Sequence, residues 1–275
     1  MPDSVEIQDA LTEIKKSMEK AIISGGEKEK TALIRSQKLI KLIHDAVKSE
    51  FIKAGVNSEN IKPKIGVSEG ELKLAGFFKK KDQDICIIPN NLHEKEEISD
   101  SGLLLGEKDR YGKEYTEHII SVNIRSQLSS LAKNFDTLYE RTFAESLNLH
   151  MRCPKMCLGE VYMIPVCEYD THAAQEKKIS FADRISSIEK YLLAFNMINL
   201  RKSVKDELYK YERVCLLVVD FRKKIPKIYH DDTELKKDAL LPYNTRATIS
   251  RLNFRTFAKD LLKIYAGRFG SNKFK

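Results

Sequence analysis

Long apolar runs are scarce in this 275-residue chain. The longest, such as Val214–Val219, fall far short of the roughly 20 apolar residues that a bilayer-crossing helix needs. The leading stretch, Met1 to Ile14, is polar and acidic with no signal-like apolar segment behind it, so no secretory leader is expected. Glycine is also sparse, and neither G-x-x-x-x-G-K-[ST] nor G-x-G-x-x-G occurs, which removes nucleotide cradling by a glycine loop. No G-x-S-x-G is present, and no local order of Ser, His and Cys suggests a nucleophile with its base. There are only five cysteines, an odd number. Cys153 and Cys157 lack two further ligands at zinc-site spacing, so all five read as buried thiols of a reducing, cytoplasmic setting.

What is present is enough apolar material for a sizeable core, at 42% hydrophobic residues. The net charge of +8 is unevenly spread. From Asn244 onward eight basic residues face one acid, a net of +7, which leaves +1 for everything before it. A near-neutral body with a basic end has a directed field suited to a polyanion, most simply nucleic acid.

Apolar spacing predicts a helical hairpin over residues 1–60, with helices from Ser4 to Ser24 and from Glu29 to Ala54 broken at Gly25-Gly26. A β-meander follows from Lys64 to Pro89, then a polar, acidic loop from Asn90 to Lys113. Leu128, Leu131, Phe135, Leu138, Phe143 and Leu147 mark a helix over Ile119–His150. Leu158–Val166 reads as a strand, Phe181–Tyr211 as a long helix, and Val214–Asp220 as a strand buried on both faces. Strand, crossover helix and buried strand make a parallel pair. The expected fold class is α/β, a central mixed β-sheet flanked by helices, with a core over 61–243 and a basic helix and tail over 244–275. In that helix, Thr245–Ala266, the residues Arg251, Arg255, Lys259 and Lys263 recur every four positions and form one basic stripe, with Arg246 beside it.

An ionised carboxylate on an apolar strand is costly unless paired or metal-bound. Asp84, Glu160 and Asp220 stand in such positions. Asp220, at a strand edge, reads as a turn-capping residue. Glu160 has two readings, a metal ligand or the partner of Arg125, Arg141 or Arg152. Asp84 and Glu160 together could hold Mg²⁺ for attack on a phosphodiester.

An acid on one strand, then Asn123-Ile-Arg-Ser-Gln-Leu-Ser-Ser-Leu-Ala-Lys-Asn-Phe-Asp-Thr-Leu-Tyr-Glu-Arg-Thr running into Leu158-Gly-Glu-Val-Tyr, a helix and a buried strand, resembles the PD-(D/E)xK nucleases, type II restriction endonucleases in particular. The resemblance spans Lys64 to Asp220. It implies a restriction-endonuclease-like core and makes Asp84 and Glu160 the metal-binding acids. It further implies Mg²⁺ as cofactor, double-stranded DNA as substrate and a homodimer that cuts both strands. The lysine that such a site carries two residues after its second acid is replaced here by Tyr162. Lys73 on the meander, or Lys190 on the following helix, is then the substitute. Glu71-Leu-Lys73 with Asp84 is an alternative core. The basic residues Arg246, Arg251, Arg255, Lys259 and Lys263 would bind DNA phosphates. The contrasting expectation is a non-catalytic nucleic-acid-binding or assembly protein whose strand acids are structural.

Overall fold

The computed structural model describes residues 4–67 and 69–275. The first three residues of the polar leading stretch, and Ser68 of the expected meander, lie outside the described residues. Eight helices occur in chain order among the described residues: α1 (Ile7–Arg35), α2 (Lys38–Lys53), α3 (Lys113–His118), α4 (Leu131–His150), α5 (Thr171–Gln175), α6 (Ile188–Met197), α7 (Asp232–Lys237) and α8 (Phe254–Phe269). The strands are β1 (Ile61–Lys62), β2 (Leu72–Ala75), β3 (Lys80–Gln83), β4 (Ile85–Ile87), β5 (Glu97–Ile98), β6 (Lys108–Asp109), β7 (Ile120–Ser126), β8 (Cys157–Pro165), β9 (Cys167–Tyr169), β10 (Phe181–Ile185), β11 (Arg213–Asp220) and β12 (Lys227–Ile228).

Six strands form a central mixed sheet in the order β1-β4-β7-β8-β11-β12. β7, β8 and β11 run parallel, joined by crossovers through α4 and α6, while β1, β4 and β12 pair antiparallel at the flanks. This is the expected α/β class. Every residue of β8 and β11 is buried, as the continuous apolar run of β11 requires. One face packs Val122, Val161 and Cys215 against α1, α2 and α8 through Leu11, Phe51, Phe257 and Leu261. The other packs Leu158, Tyr162 and Leu216 against α4 and α6 through Phe135, Tyr191 and Phe195. α8 lies so close to β8 that a Cβ on Gly159 would stand 2.7 Å from the Phe257 ring, which restricts that position to glycine.

Several boundaries differ from expectation, each for a local reason. α1 continues through the glycine pair with a kink at Gly26 (φ 67°), and the hairpin turns at Ser36-Gln37, where Gln37 is left-handed. A Cβ at Gly26 would meet the Ala174 carbonyl at 2.8 Å. The expected helix over Ile119–His150 is two elements, strand β7 and helix α4, because Ile120, Val122 and Ile124 alternate with Ser121, Asn123 and Arg125. The expected helix over Phe181–Tyr211 contracts to α6, since Phe181–Ile185 pairs with Cys167–Tyr169 as a hairpin. The acidic stretch after Asn90 holds its own hairpin, β5 with β6. It is pinned by buried Arg152, which reaches Asp109 at 2.8 Å, Glu97 at 3.0 Å and the Ala75 carbonyl at 3.1 Å. The last helix begins at Phe254, so Arg251 precedes it on a 3₁₀ turn, and Gly267 lies inside it.

Candidate functional site

The alternation that buries Val122, Ile124 and Val161 on one face of the sheet turns Asn123, Arg125 and Glu160 to the other, beneath α4. Asn123 is paired directly with Glu160 across β7 and β8. One step beyond the last β4–β7 pair, Ile85 with Val122, stands Asp84, and the backbone N–H of Ile124 donates to its Oδ2 at 2.7 Å. Asp84, Asn123 and Glu160 therefore follow one another along a row across three strands. This is a buried polar row, with Ser121 and Arg125 beside it on the same face, and burying such groups is costly unless they are paired or bound to a ligand.

Arg125 organises the cations and anions around the row. Its Nη1 donates to Thr142 Oγ1 at 2.9 Å and lies 3.5 Å from Glu160 Oε1, while its Nη2 pairs with Glu145 of α4. Lys81 of β3 pairs with the same Glu145. Glu160 is completely buried, and neither of its oxygens has a hydrogen-bond partner among the described residues. Burial pushes its carboxyl up to about 8, with Arg125 opposing and Glu145 adding repulsion. Arg125 is shared with Glu145, so desolvation prevails over that single long contact. Burial also raises the Asp84 carboxyl, against the Ile124 N–H, Lys81 and Arg125, which hold it down. Asn123 Oδ1 is likewise buried and unpartnered among the described residues.

The row thus presents the Glu160 carboxyl and the Asn123 amide oxygen without hydrogen-bond partners among the described residues, beside Asp84, whose Oδ2 accepts the Ile124 N–H. Hard oxygen donors of this kind fit Mg²⁺, whose chemistry favours carboxylate and water ligands. Among the described residues no three His, Cys, Asp or Glu side chains gather as a metal-binding group.

The residue two after Glu160, Tyr162, is buried and donates to Gln127 Oε1 at 3.0 Å. On β7, which adjoins Asp84 directly, the corresponding pair is Asn123 and Arg125. The sequence pointed to Arg125 only as one of three candidate partners of Glu160, Arg141 and Arg152 being the others, and Asn123 was missed because the following helix was extended backward over β7, although the alternation Ile120, Val122, Ile124 carried the signal. Lys73 does not join the row: it is mostly exposed and lies 3.8 Å from Asp82 on the facing strand. Glu71 is brought near, since burial first and then the charges of Asp84 and Asp82 raise its carboxyl. Lys190 is exposed on α6 and pairs with Asp136 at 3.1 Å. Asp220 receives two bonds from the Arg222 guanidinium and one from its backbone N–H, a local turn closure. Cys153 and Cys157 are buried free thiols, the former pushed up to about 12 by burial.

The basic residues lie elsewhere. Arg246, Arg251, Arg255, Lys259 and Lys263 are exposed and form no ion pair among the described residues. Arg255, Lys259 and Lys263 ride on α8, whose apolar side packs on the sheet face opposite the one that bears Glu160, whereas Arg246 and Arg251 belong to the preceding segment, whose Ala247, Ile249 and Leu252 pack on the Glu160 side. Arg268, one of the eight basic residues that follow Asn244, turns inward and joins Arg201 on the buried carboxylate of Glu212, at 2.8 and 2.9 Å. His150 completes that cluster, with Nε2 3.3 Å from Glu212 and Nδ1 2.9 Å from the Leu208 carbonyl. Burial alone would raise Glu212, but His150, Arg268 and the Leu158 N–H together hold it below the usual carboxylate range.

No helix among the described residues is long and apolar enough to cross a membrane. Comparison with protein-family models, with curated proteins and with solved structures finds no match to this chain.

Proposed function

We propose that the chain is a Mg²⁺-dependent endonuclease of the PD-(D/E)xK kind, hydrolysing phosphodiester bonds of double-stranded DNA in the cytoplasm, in the manner of a type II restriction enzyme. The observation that carries this reading is the polar row Asp84, Asn123, Glu160 on one sheet face, in which the Asn123 amide oxygen and both Glu160 oxygens have no hydrogen-bond partner among the described residues. A divalent cation held by those three residues would polarise a phosphoryl oxygen and lower the pKa of a bound water. The motif's lysine position is held by Tyr162; Arg125, on the neighbouring strand and 3.5 Å from Glu160, would with Lys81 supply the positive charge that a pentavalent phosphorane-like transition state needs. Glu145, bonded to both cations, fixes their direction. The exposed residues of the stripe supply phosphate contacts without base reading. Arg255, Lys259 and Lys263 lie on the layer opposite the row, and a homodimer would let them serve DNA engaged at the row of the other subunit.

Supercoiled plasmid incubated with Mg²⁺ tests the reading. Cutting is expected with the native chain and not with EDTA, and Asp84→Asn or Glu160→Gln should abolish it while leaving DNA binding within a few-fold. Cleavage that survives both substitutions would refute the assignment. A second reading is a non-catalytic nucleic-acid-binding protein. It is favoured by the amide at Asn123 and the buried, ion-paired surroundings of Glu160. Binding that falls steeply with salt, with no hydrolysis in Mg²⁺ or Mn²⁺, would select it.

A further inference from the structure

The two cations that flank the polar row are both engaged by one helix carboxylate. Lys81 Nζ donates to Glu145 Oε1 and Arg125 Nη2 to Glu145 Oε2, one cation to each oxygen. The junction borders solvent, since the side chains of Lys81, Arg125 and Glu145 are 29%, 16% and 13% exposed. Two positive groups here grip the two oxygens of a single anion, as they would those of a phosphate.

Neither cation owes its place to Glu145. Arg125 is anchored from its other side, where Nη1 donates to buried Thr142 Oγ1 at 2.9 Å and stands 3.5 Å from Glu160 Oε1. Lys81 lies on β3 opposite Leu74 of β2, and the turn of that hairpin is strapped to buried Asn148 of α4. The Asn148 side chain accepts from the N–H groups of Phe78 and Lys79 at 2.7 and 3.1 Å and donates back to the Lys79 carbonyl at 3.1 Å. Its own carbonyl accepts from the Phe77 N–H at 2.6 Å. The two donors are therefore held in place whether or not a carboxylate lies between them. Glu145, by contrast, has another position open to it. It sits at the margin of the buried stripe of α4 beside exposed Ala144, and Arg141, one turn earlier, is exposed without an ion pair among the described residues. Residues four apart on a helix are neighbours, so Arg141 can receive the carboxylate on the solvent side.

We infer that Lys81 and Arg125 form a phosphate seat, occupied at rest by Glu145 as an internal stand-in that the phosphate displaces. The inference rests on the nuclease reading only for the natural occupant, a backbone phosphate of the substrate. The seat itself requires neither DNA nor metal. Asp84 and Glu160 stay close by as acids, so a lone phosphate binds weakly while Glu145 is also there, and the loss of that one carboxylate is felt directly at the two donors.

Calorimetric titration of the full chain with inorganic phosphate, near neutral pH and without Mg²⁺, tests this. Glu145→Ala should bind phosphate about tenfold tighter than the native chain, because both donors are vacated. Glu140→Ala removes an equal charge from an exposed position on the same helix and should leave the affinity at the native level. Lys81→Gln, on a partly exposed strand, should cancel the gain when combined with Glu145→Ala. A purely structural carboxylate predicts the reverse, since Glu145→Ala would then loosen the junction and bind phosphate no better. That result, or a gain shared by Glu140→Ala or untouched by Lys81→Gln, would overturn the inference. A duplex oligonucleotide that displaces phosphate from Glu145→Ala identifies a backbone phosphate as the natural occupant, and one that does not identifies a free anion, the seat standing in both cases. Cleavage is a separate readout. A chain that cuts no DNA yet gains phosphate affinity on Glu145→Ala keeps the seat and loses the nuclease reading, and one that cuts without that gain does the opposite.

Discussion

Glu160→Gln tests the electrostatics of the polar row without removing its shape. The carboxyl is raised from its ordinary 4.5 to about 8 in the fold, so across that window the folded state holds a proton that the unfolded state has released. Each pH unit then disfavours folding by about 1.4 kcal/mol, because the unfolded chain is the weaker proton binder. The stabilising protonated form is fully present below 4.5 and is lost as pH rises through 8. The accumulated cost is about 3 kcal/mol at pH 7 and about 5 kcal/mol above pH 8. Against a typical folding stability of about 5–15 kcal/mol, that is large enough to measure by urea denaturation. Glutamine cannot ionise, so the stability of Glu160→Gln minus that of the native chain should climb by these amounts between pH 5 and 9. A difference that stays flat would mean that Arg125 holds Glu160 ionised throughout, and the reasoning about burial would be wrong. Added Mg²⁺ should raise native stability at pH 8 and leave Glu160→Gln unmoved, since only a deprotonated carboxylate gains from the cation.

Three further outcomes follow from features already described. Arg255→Ala with Lys259→Ala should lower the slope of log affinity for DNA against log salt by about 2, from the loss of two phosphate contacts. Burial lowers His44 from 6.5 to about 4, with Lys48 next in effect, so its contribution is present above 6.5 and lost as pH falls through 4. That loss amounts to about 3 kcal/mol, and His44→Gln should remove this acid-limb decline in urea midpoints. Arg152→Leu strands the buried carboxylate of Asp109 and should destabilise by about 3–5 kcal/mol, with Asp109→Asn recovering part of it in a double-mutant cycle.

The layered α/β class, the parallel pair β8 and β11 and the exposure of the basic stripe were legible from apolar spacing and charge. β11 was clearest because six apolar residues in succession have no amphipathic alternative. β7 was not, because its polar half, Ser121, Asn123 and Arg125, faces a buried row and breaks the rule that polar residues alternate toward water. The Leu128–Leu147 stripe then drew the helix assignment backward over it. The shortness of α6 escaped for a related reason: Phe181–Ile185 pairs with residues twelve or more positions earlier, and no local pattern reports such a partner. Asp84 and Glu160 stood out because acids on apolar strands are conspicuous. Their shared neighbours, Arg125, Lys81 and Glu145, come from three separate segments and meet only through the sheet register.

The dependence of β8 on α8 has a consequence for synthesis. The groove above Gly159 is filled by Phe257 and Leu261, and Glu212 receives its second arginine from residue 268. A nascent chain that has emerged as far as β12 already contains all six strands but leaves that groove open and one buried carboxylate half neutralised. The central sheet therefore cannot close as each strand leaves the ribosome. Until residues 254–269 have been made, the face above Gly159 keeps its apolar surface bare, the condition in which partly made folds are prone to associate wrongly.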